Sequence, residues 1–298
     1  MFKKKLSRTI NNLLSNLGLK IVNLNSIGPL DLISKNIDPI TAQYLFGLNQ
    51  VIVEMKFAEC RTNRWFDMFE NSLDPGIFAT MKAIKKNLKG KVLLDDIYLT
   101  LKEYKSLIGI NNAQDFLDIE PTENNILNSY PWWAAVNPWD NRTFDYMLKF
   151  HPIEVKKDRL KNGMKILSND PYEIMEENEQ RSLKSHAKQY AKLTEEIKEK
   201  GFKYGNDFGY VLAELFILNN EFRWKIGGEG NHRAAVAVAL GIKKIPVVVN
   251  KIIRLDEIQY WPNVANGIFT KDQATKIFNN IFFAQPSKIN YKWIKKNS

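Results

Sequence analysis

The chain of 298 residues has a single cysteine, Cys60. An internal disulfide framework is therefore excluded, and so is a thiolate zinc site; a reducing, cytoplasmic compartment is the natural expectation. Histidine is almost as scarce. His151, His186 and His232 are scattered without metal-ligand spacing, so no metal site is expected from side chains of this kind, and only an oxygen-liganded Mg²⁺ stays open. No stretch reaches the roughly 20 apolar residues of a membrane span. The start lacks the continuous apolar region and small-residue cleavage site of a signal peptide. There is no internal repeat and no low-complexity tract. Acidic residues are missing from both ends: positions 1–30 carry Lys3, Lys4, Lys5, Arg8 and Lys20, and the last eleven carry Lys288, Lys292, Lys295 and Lys296.

What is present is a globular composition, 44% hydrophobic and 26% charged, with net charge +10. That suits a sizeable core. The basic balance favours anionic partners: a nucleotide, nucleic acid or an anionic membrane surface. Phe2, Leu6, Ile10, Leu13, Leu14, Leu17 and Ile21 recur at helical spacing. Residues 2–21 thus form an expected amphipathic basic helix, suited to peripheral contact with an anionic membrane or to packing on the protein.

Residues 39–72 read as helical, with Arg61 and Arg64 either facing an anion or paired with Asp67 and Glu70. Asp74-Pro75-Gly76 reads as a turn. Val92 to Asp96 reads as a short strand whose Asp95-Asp96 pair ends in a solvated turn or holds Mg²⁺. Residues 121–143 are rich in proline and tryptophan and read as a junction. They divide a mostly helical region, 1–140, from an α/β-textured region, 141–298. Trp132, Trp133 and Trp139 there are a possible substrate wall or interdomain packing.

Beyond the junction, Ile153 to Val155 reads as a short strand and Asn169 to Tyr172 as a turn. Arg181 to Lys200 reads as a long helix closed by Gly201. Tyr210 to Leu218 and Glu221 to Ile226 read as a hairpin about Asn219-Asn220. Asp256 to Trp261 and Lys271 to Phe283 read as helices. The sharpest stretch follows the hairpin: Gly227-Gly228-Glu229-Gly230-Asn231-His232-Arg233, then alanine-rich residues to Gly241, then the buried strand Ile245 to Val249. Asn231 is the expected N-cap. A glycine loop feeding a helix N-terminus offers free N–H groups and the positive end of the helix dipole to an anion.

This order of parts resembles the ParB/sulfiredoxin-like superfamily over residues 150–255. The loop Gly227 to Arg233 is similar to the glycine-HR loop of sulfiredoxins and ParB-type serine kinases. The resemblance implies an α+β chain: a helical N-terminal region followed by a ParB/sulfiredoxin-like domain with a small mixed sheet. It further implies phosphates held by Gly227, Gly228, Gly230, Asn231, His232 and Arg233, with ATP or another nucleotide and Mg²⁺ as ligands. No cysteine stands in the loop, which argues against sulfiredoxin chemistry. About fifty residues follow Val249, too few for the DNA-clamping regions of ParB proteins. The expected function is a nucleotide-dependent phosphotransferase, an ATP- or ADP-dependent kinase. Its acceptor would be a small hydroxylated molecule or sugar, with Glu229, His232 and Arg233 as catalytic candidates and Asp207 and Glu214 as further carboxylates. The alternative is a non-catalytic nucleotide-binding module that holds nucleic acid or an anionic membrane surface.

Overall fold

A computed structural model describes residues 29–35, 37–46, 50–110, 112–120, 126–161, 165, 168–205 and 207–298. The expected membrane-contacting helix, residues 2–21, lies outside the described residues. Contacts divide the chain into two compact units, Met1–Val53 and Glu54–Ser298. The first holds strand β1 (Leu30–Asp31), helix α1 (Pro39–Phe46) and the start of strand β2 (Val51–Lys56). β1 runs parallel to β2, with Leu30 opposite Val51. Asp38 caps α1 by accepting from the N–H groups of Ile40 and Thr41.

The second unit contains β3 (Cys60–Arg61), β4 (Leu212–Leu218), β5 (Glu221–Ile226) and β6 (Lys244–Arg254) in the order β6-β4-β5-β3. β4 and β5 form the antiparallel hairpin anticipated at Asn219-Asn220, whereas β4–β6 and β5–β3 are parallel. The fold is therefore α+β with a mixed sheet. Its helices are α2 (Pro75–Lys85), α3 (Gly90–Leu107), α4 (Ala113–Leu117), α5 (Phe144–Lys161), α6 (Pro171–Lys200), α7 (Asn231–Ala239), α8 (Pro262–Ala265), α9 (Lys271–Phe282) and α10 (Tyr291–Asn297). Residues 54–140 pack within the same compact unit as 141–298, so the proline- and tryptophan-rich stretch is not where contacts divide the chain.

Three local expectations change. Part of the expected helix 39–72 is strand β2, in which Val51, Ile52 and Val53 are all buried; β-branched runs of this length suit a strand. Val92 to Asp96 lies inside α3 instead, because Leu93, Ile97, Leu101 and Tyr104 bury one helical face. There Asp96 pairs with Lys86 at 2.6 Å rather than ending a strand. Ile153 to Val155 lies inside α5.

One core cluster joins Trp139, Phe216, Trp261 and Phe278 around α9. Trp139 meets Phe216 and Trp261 edge-on, each at 5.2 Å between ring centroids. A second cluster centres on Trp293 of α10, whose indole N–H donates to the Leu73 carbonyl at 2.7 Å. α2 and α7 pack on one another, and both bury small residues: Gly76, Ala79 and Ala83 on one helix, Ala234, Ala235 and Ala237 on the other. Residues at both helix starts, Asp74 to Gly76 and Asn231 to His232, line one cavity.

Candidate functional site

A cavity of about 650 Å³ opens between α2, α3, α6 and the start of α7. Its volume lies within the range of small-ligand sites. Two helix N-termini border it. α7 begins after Gly230, which has no side chain to accept its first N–H groups, and its first two residues, Asn231 and His232, line the cavity. α2 begins after Asp74, whose carboxylate accepts from the N–H groups of Gly76 and Ile77. The Asp74-Pro75-Gly76 turn is thus also a helix start, with an acidic N-cap and proline at the first helical position.

Gly230 has physical reasons to be glycine. Its φ is +88°, and a Cβ there would stand 2.8 Å from the Val211 Cα. Asn231 is the first residue of α7 rather than its cap. Its amide ties the loop together: Nδ2 donates to the Gly228 carbonyl, and Oδ1 accepts from Asn63 Nδ2 at 2.9 Å. That second bond joins the glycine loop to the turn after β3.

The turn after β3 carries the cavity's arginine. Thr62 Oγ1 accepts from the N–H groups of Arg64 and Phe66, and Trp65 adopts a left-handed φ of +68°. A bulky residue in that region costs about 1–3 kcal/mol and persists only where its surroundings enforce it; here Trp65 is buried in the core cluster. Arg64 consequently reaches into the cavity, its side chain 48% exposed. It lies 3.7 Å from Asp74 and over the ring of Tyr104. Burial opposes its charge, but Tyr104, Asp74 and Tyr190 more than offset this and hold the guanidinium above the ordinary arginine range. Tyr104 is itself oriented by its hydroxyl, which donates to Asn290 Oδ1 at 2.8 Å.

His186 and Tyr190 stand one turn apart on α6 and face the cavity. His186 Nδ1 is 2.6 Å from His232 Nε2, and the two rings stack at 4.8 Å. Tyr190 packs on His232 at 4.7 Å, with its hydroxyl against the Gly76 backbone, where a Cβ would come within 2.1 Å of it. Burial, then the His186 and Arg64 charges, push the His232 pKa down to about 4, and burial and Arg64 lower His186 as well. Both imidazoles are neutral at pH 7. One ring nitrogen of the pair therefore donates to the other, and an uncharged base stands beside an arginine.

The sequence-derived candidates separate. Asn231 and His232 line the cavity; Gly227, Gly228, Glu229, Gly230 and Arg233 do not. Arg233 donates to the carbonyls of Phe208 and Gly209, so it braces the loop before β4. Glu229 is exposed. Glu214 lies below the loop, paired with Lys225 at 3.0 Å, and its Cγ leaves only 3.1 Å for a Cβ at Gly227. Asp207 is exposed. Trp132 lines the cavity, Trp133 packs edge-on against Tyr172, and Trp139 is core. Arg61 pairs with Asp67 at 2.7 Å and donates to the Phe282 carbonyl, as structural arginines do. Cys60 is fully buried beside Arg61, and burial pushes its thiol up to about 12, so no reactive thiolate serves the loop. Sequence reading missed the roles of Asp74, Tyr104, His186 and Tyr190. The i, i+4 pair on α6 and the capping signature at Asp74-Pro75 were the available signals.

No protein-family model matches the chain, and neither does any curated protein or solved structure. Among the described residues no helix is long and apolar enough to cross a membrane.

Proposed function

We propose that the cavity binds a nucleotide through its phosphates and that the chain transfers the terminal phosphoryl group to a small hydroxylated molecule. One observation carries this reading: Arg64 and the uncapped start of α7 border the same cavity. Phosphate is favoured by open N–H groups at a helix N-terminus, and a guanidinium offers planar paired donors to its oxygens. Arg64 takes the charge-neutralising role first expected of Arg233. Phosphoryl transfer needs positioning and charge neutralisation more than covalent help from the protein, and the neutral His186–His232 pair supplies a proton acceptor.

Among the described residues no three His, Cys, Asp or Glu side chains gather as a metal site. The cavity does contain one carboxylate, Asp74, already shared between the α2 cap and Arg64. Any Mg²⁺ would therefore enter mainly on the nucleotide's phosphates, with the protein adding little to its shell. The order α6, hairpin, glycine loop, α7 and β6 supports a ParB/sulfiredoxin-like assignment for this part of the chain, also as a proposal.

The commitment of Asp74 favours a second reading, a nucleotide-binding module without turnover that holds nucleic acid or an anionic membrane surface. A melting screen with ATP, ADP, CTP and GTP in Mg²⁺ tests the shared premise. At least one nucleotide should raise the melting temperature of the wild type. No rise with any of them would remove both readings. ADP or other diphosphate release then separates catalysis from nucleotide-dependent binding to DNA or liposomes, the DNA arm falling steeply with salt.

A further inference from the structure

Beside the main cavity lies a second chamber of about 290 Å³. The two share Phe116, Trp132, Ser182 and His186 as wall residues. Trp133, Ala135, His151 and Met175 belong to the small chamber alone. We propose that this side chamber holds the phosphoryl acceptor, a hydroxylated ring compound of monosaccharide size, with His186 touching its reacting hydroxyl. The proposal rests on the phosphotransferase reading above and adds to it the acceptor's place and class.

Size is the first argument. The chamber sits at the lower limit of small-ligand sites, too small for a nucleotide, while the main cavity has room for one. Wall chemistry is the second. The Trp132 and Phe116 rings lie 6.3 Å apart at a 38° tilt, and Trp133 is held between Tyr172 at 5.7 Å and His151 at 6.4 Å. Preset aromatic surfaces accept the C–H face of a sugar or cyclitol ring. Ser182, His151 and His186 are the polar side chains in its wall.

Position is the third argument. His186 is common to both chambers and is hydrogen-bonded to His232 at the phosphate end. When His186 Nδ1–H donates to His232 Nε2, the His186 Nε2 lone pair is left for a ligand. The acceptor's hydroxyl oxygen forms a bond to the terminal phosphorus. The bond from that phosphorus to the bridging oxygen breaks, and the nucleoside diphosphate leaves with the electron pair. The hydroxyl proton passes to His186 Nε2 and from there to solvent. Arg64 balances the phosphate charge throughout.

The experiment measures ADP release by the full chain from ATP and Mg²⁺ with a panel of aldohexoses, pentoses and inositols. It is run beside an ATP melting assay on the wild type, Ala135→Phe, the milder Ala135→Leu, and His186→Asn. At least one panel compound should raise ADP release about tenfold or more, and filling the chamber at Ala135 should abolish that rise while the ATP-induced melting shift persists. The persisting shift also shows that the variants fold. His186→Asn should lower kcat with little change in the KM for ATP. Three results would overturn the proposal: no stimulation by any panel compound, stimulation that survives both Ala135 variants, or loss of the ATP shift on filling, which would put part of the nucleotide in the chamber. An absent ATP shift in the wild type would instead remove the phosphotransferase reading itself.

Discussion

Two helix starts face the cavity, and they end their backbones differently. α2 carries its own anion: Asp74 accepts from the N–H groups of Gly76 and Ile77. α7 follows Gly230, which has no side chain to accept from its first N–H groups, so those donors have no cap of the kind Asp74 supplies to α2. An internal carboxylate makes a helix start a structural joint, whereas a glycine cap leaves it a binding surface. The arginines divide in the same way. Arg233 comes from the recognisable loop but spends its donors on the carbonyls of Phe208 and Gly209. Arg64, from an unremarkable turn after β3, stands over Tyr104 with half its side chain open.

Breaking the open start should have the largest effect. Gly230→Ala combines a φ of +88° with a Cβ 2.8 Å from Val211, and should cost about 3 kcal/mol in chemical denaturation together with loss of nucleotide binding. A change near zero would show that the loop has another conformation available.

The histidine pair gives the next effect. An unfolded histidine takes a proton near 6.5, while folded His232 resists protonation until about 4. The stability that depends on neutral His232 is therefore full above about pH 6.5 and is lost as pH falls toward 4, by on the order of 2 kcal/mol. His232→Asn should flatten that stretch of the stability–pH curve. An identical slope in the variant would remove His232 as its source.

The smallest change sharpens the comparison from the other side. Asp74→Asn keeps a good N-cap for α2 but removes the negative charge beside Arg64. Stability should move by about 1 kcal/mol or less, and phosphate-ligand affinity should rise severalfold, as titration calorimetry would read it. A fall in affinity would mean that the carboxylate itself serves the ligand.

Local signals were the legible part of this chain. The Asn219-Asn220 hairpin, the glycine loop, the alanine-rich helix and the strand after Ile245 are each specified by neighbours within a few residues. Short apolar runs were not: Val51 to Val53 is strand and Val92 to Leu94 is helix, and such lengths fit both patterns. Only the loop's share of the candidate site was legible, for the same reason. Asn231 and His232 announce themselves in the loop. Arg64, Tyr104, His186 and Tyr190 meet them only after α2, α3, α6 and the turn after β3 have packed, and no local spacing encodes that meeting. Arg233 shows the converse. Its place in the motif was visible, but its two carbonyl partners depend on how residues 208 and 209 fold back.

Side-by-side titration of Arg64→Ala and Arg233→Ala with the nucleotide that stabilises the wild type is the most direct test. Arg64→Ala should lose about 2 kcal/mol of binding, roughly 30-fold in Kd, with the fold intact, and Arg233→Ala should bind within a few-fold of wild type while melting somewhat lower. The reverse order, with binding lost at Arg233 and kept at Arg64, would contradict a phosphate site centred on Arg64 and the open start of α7.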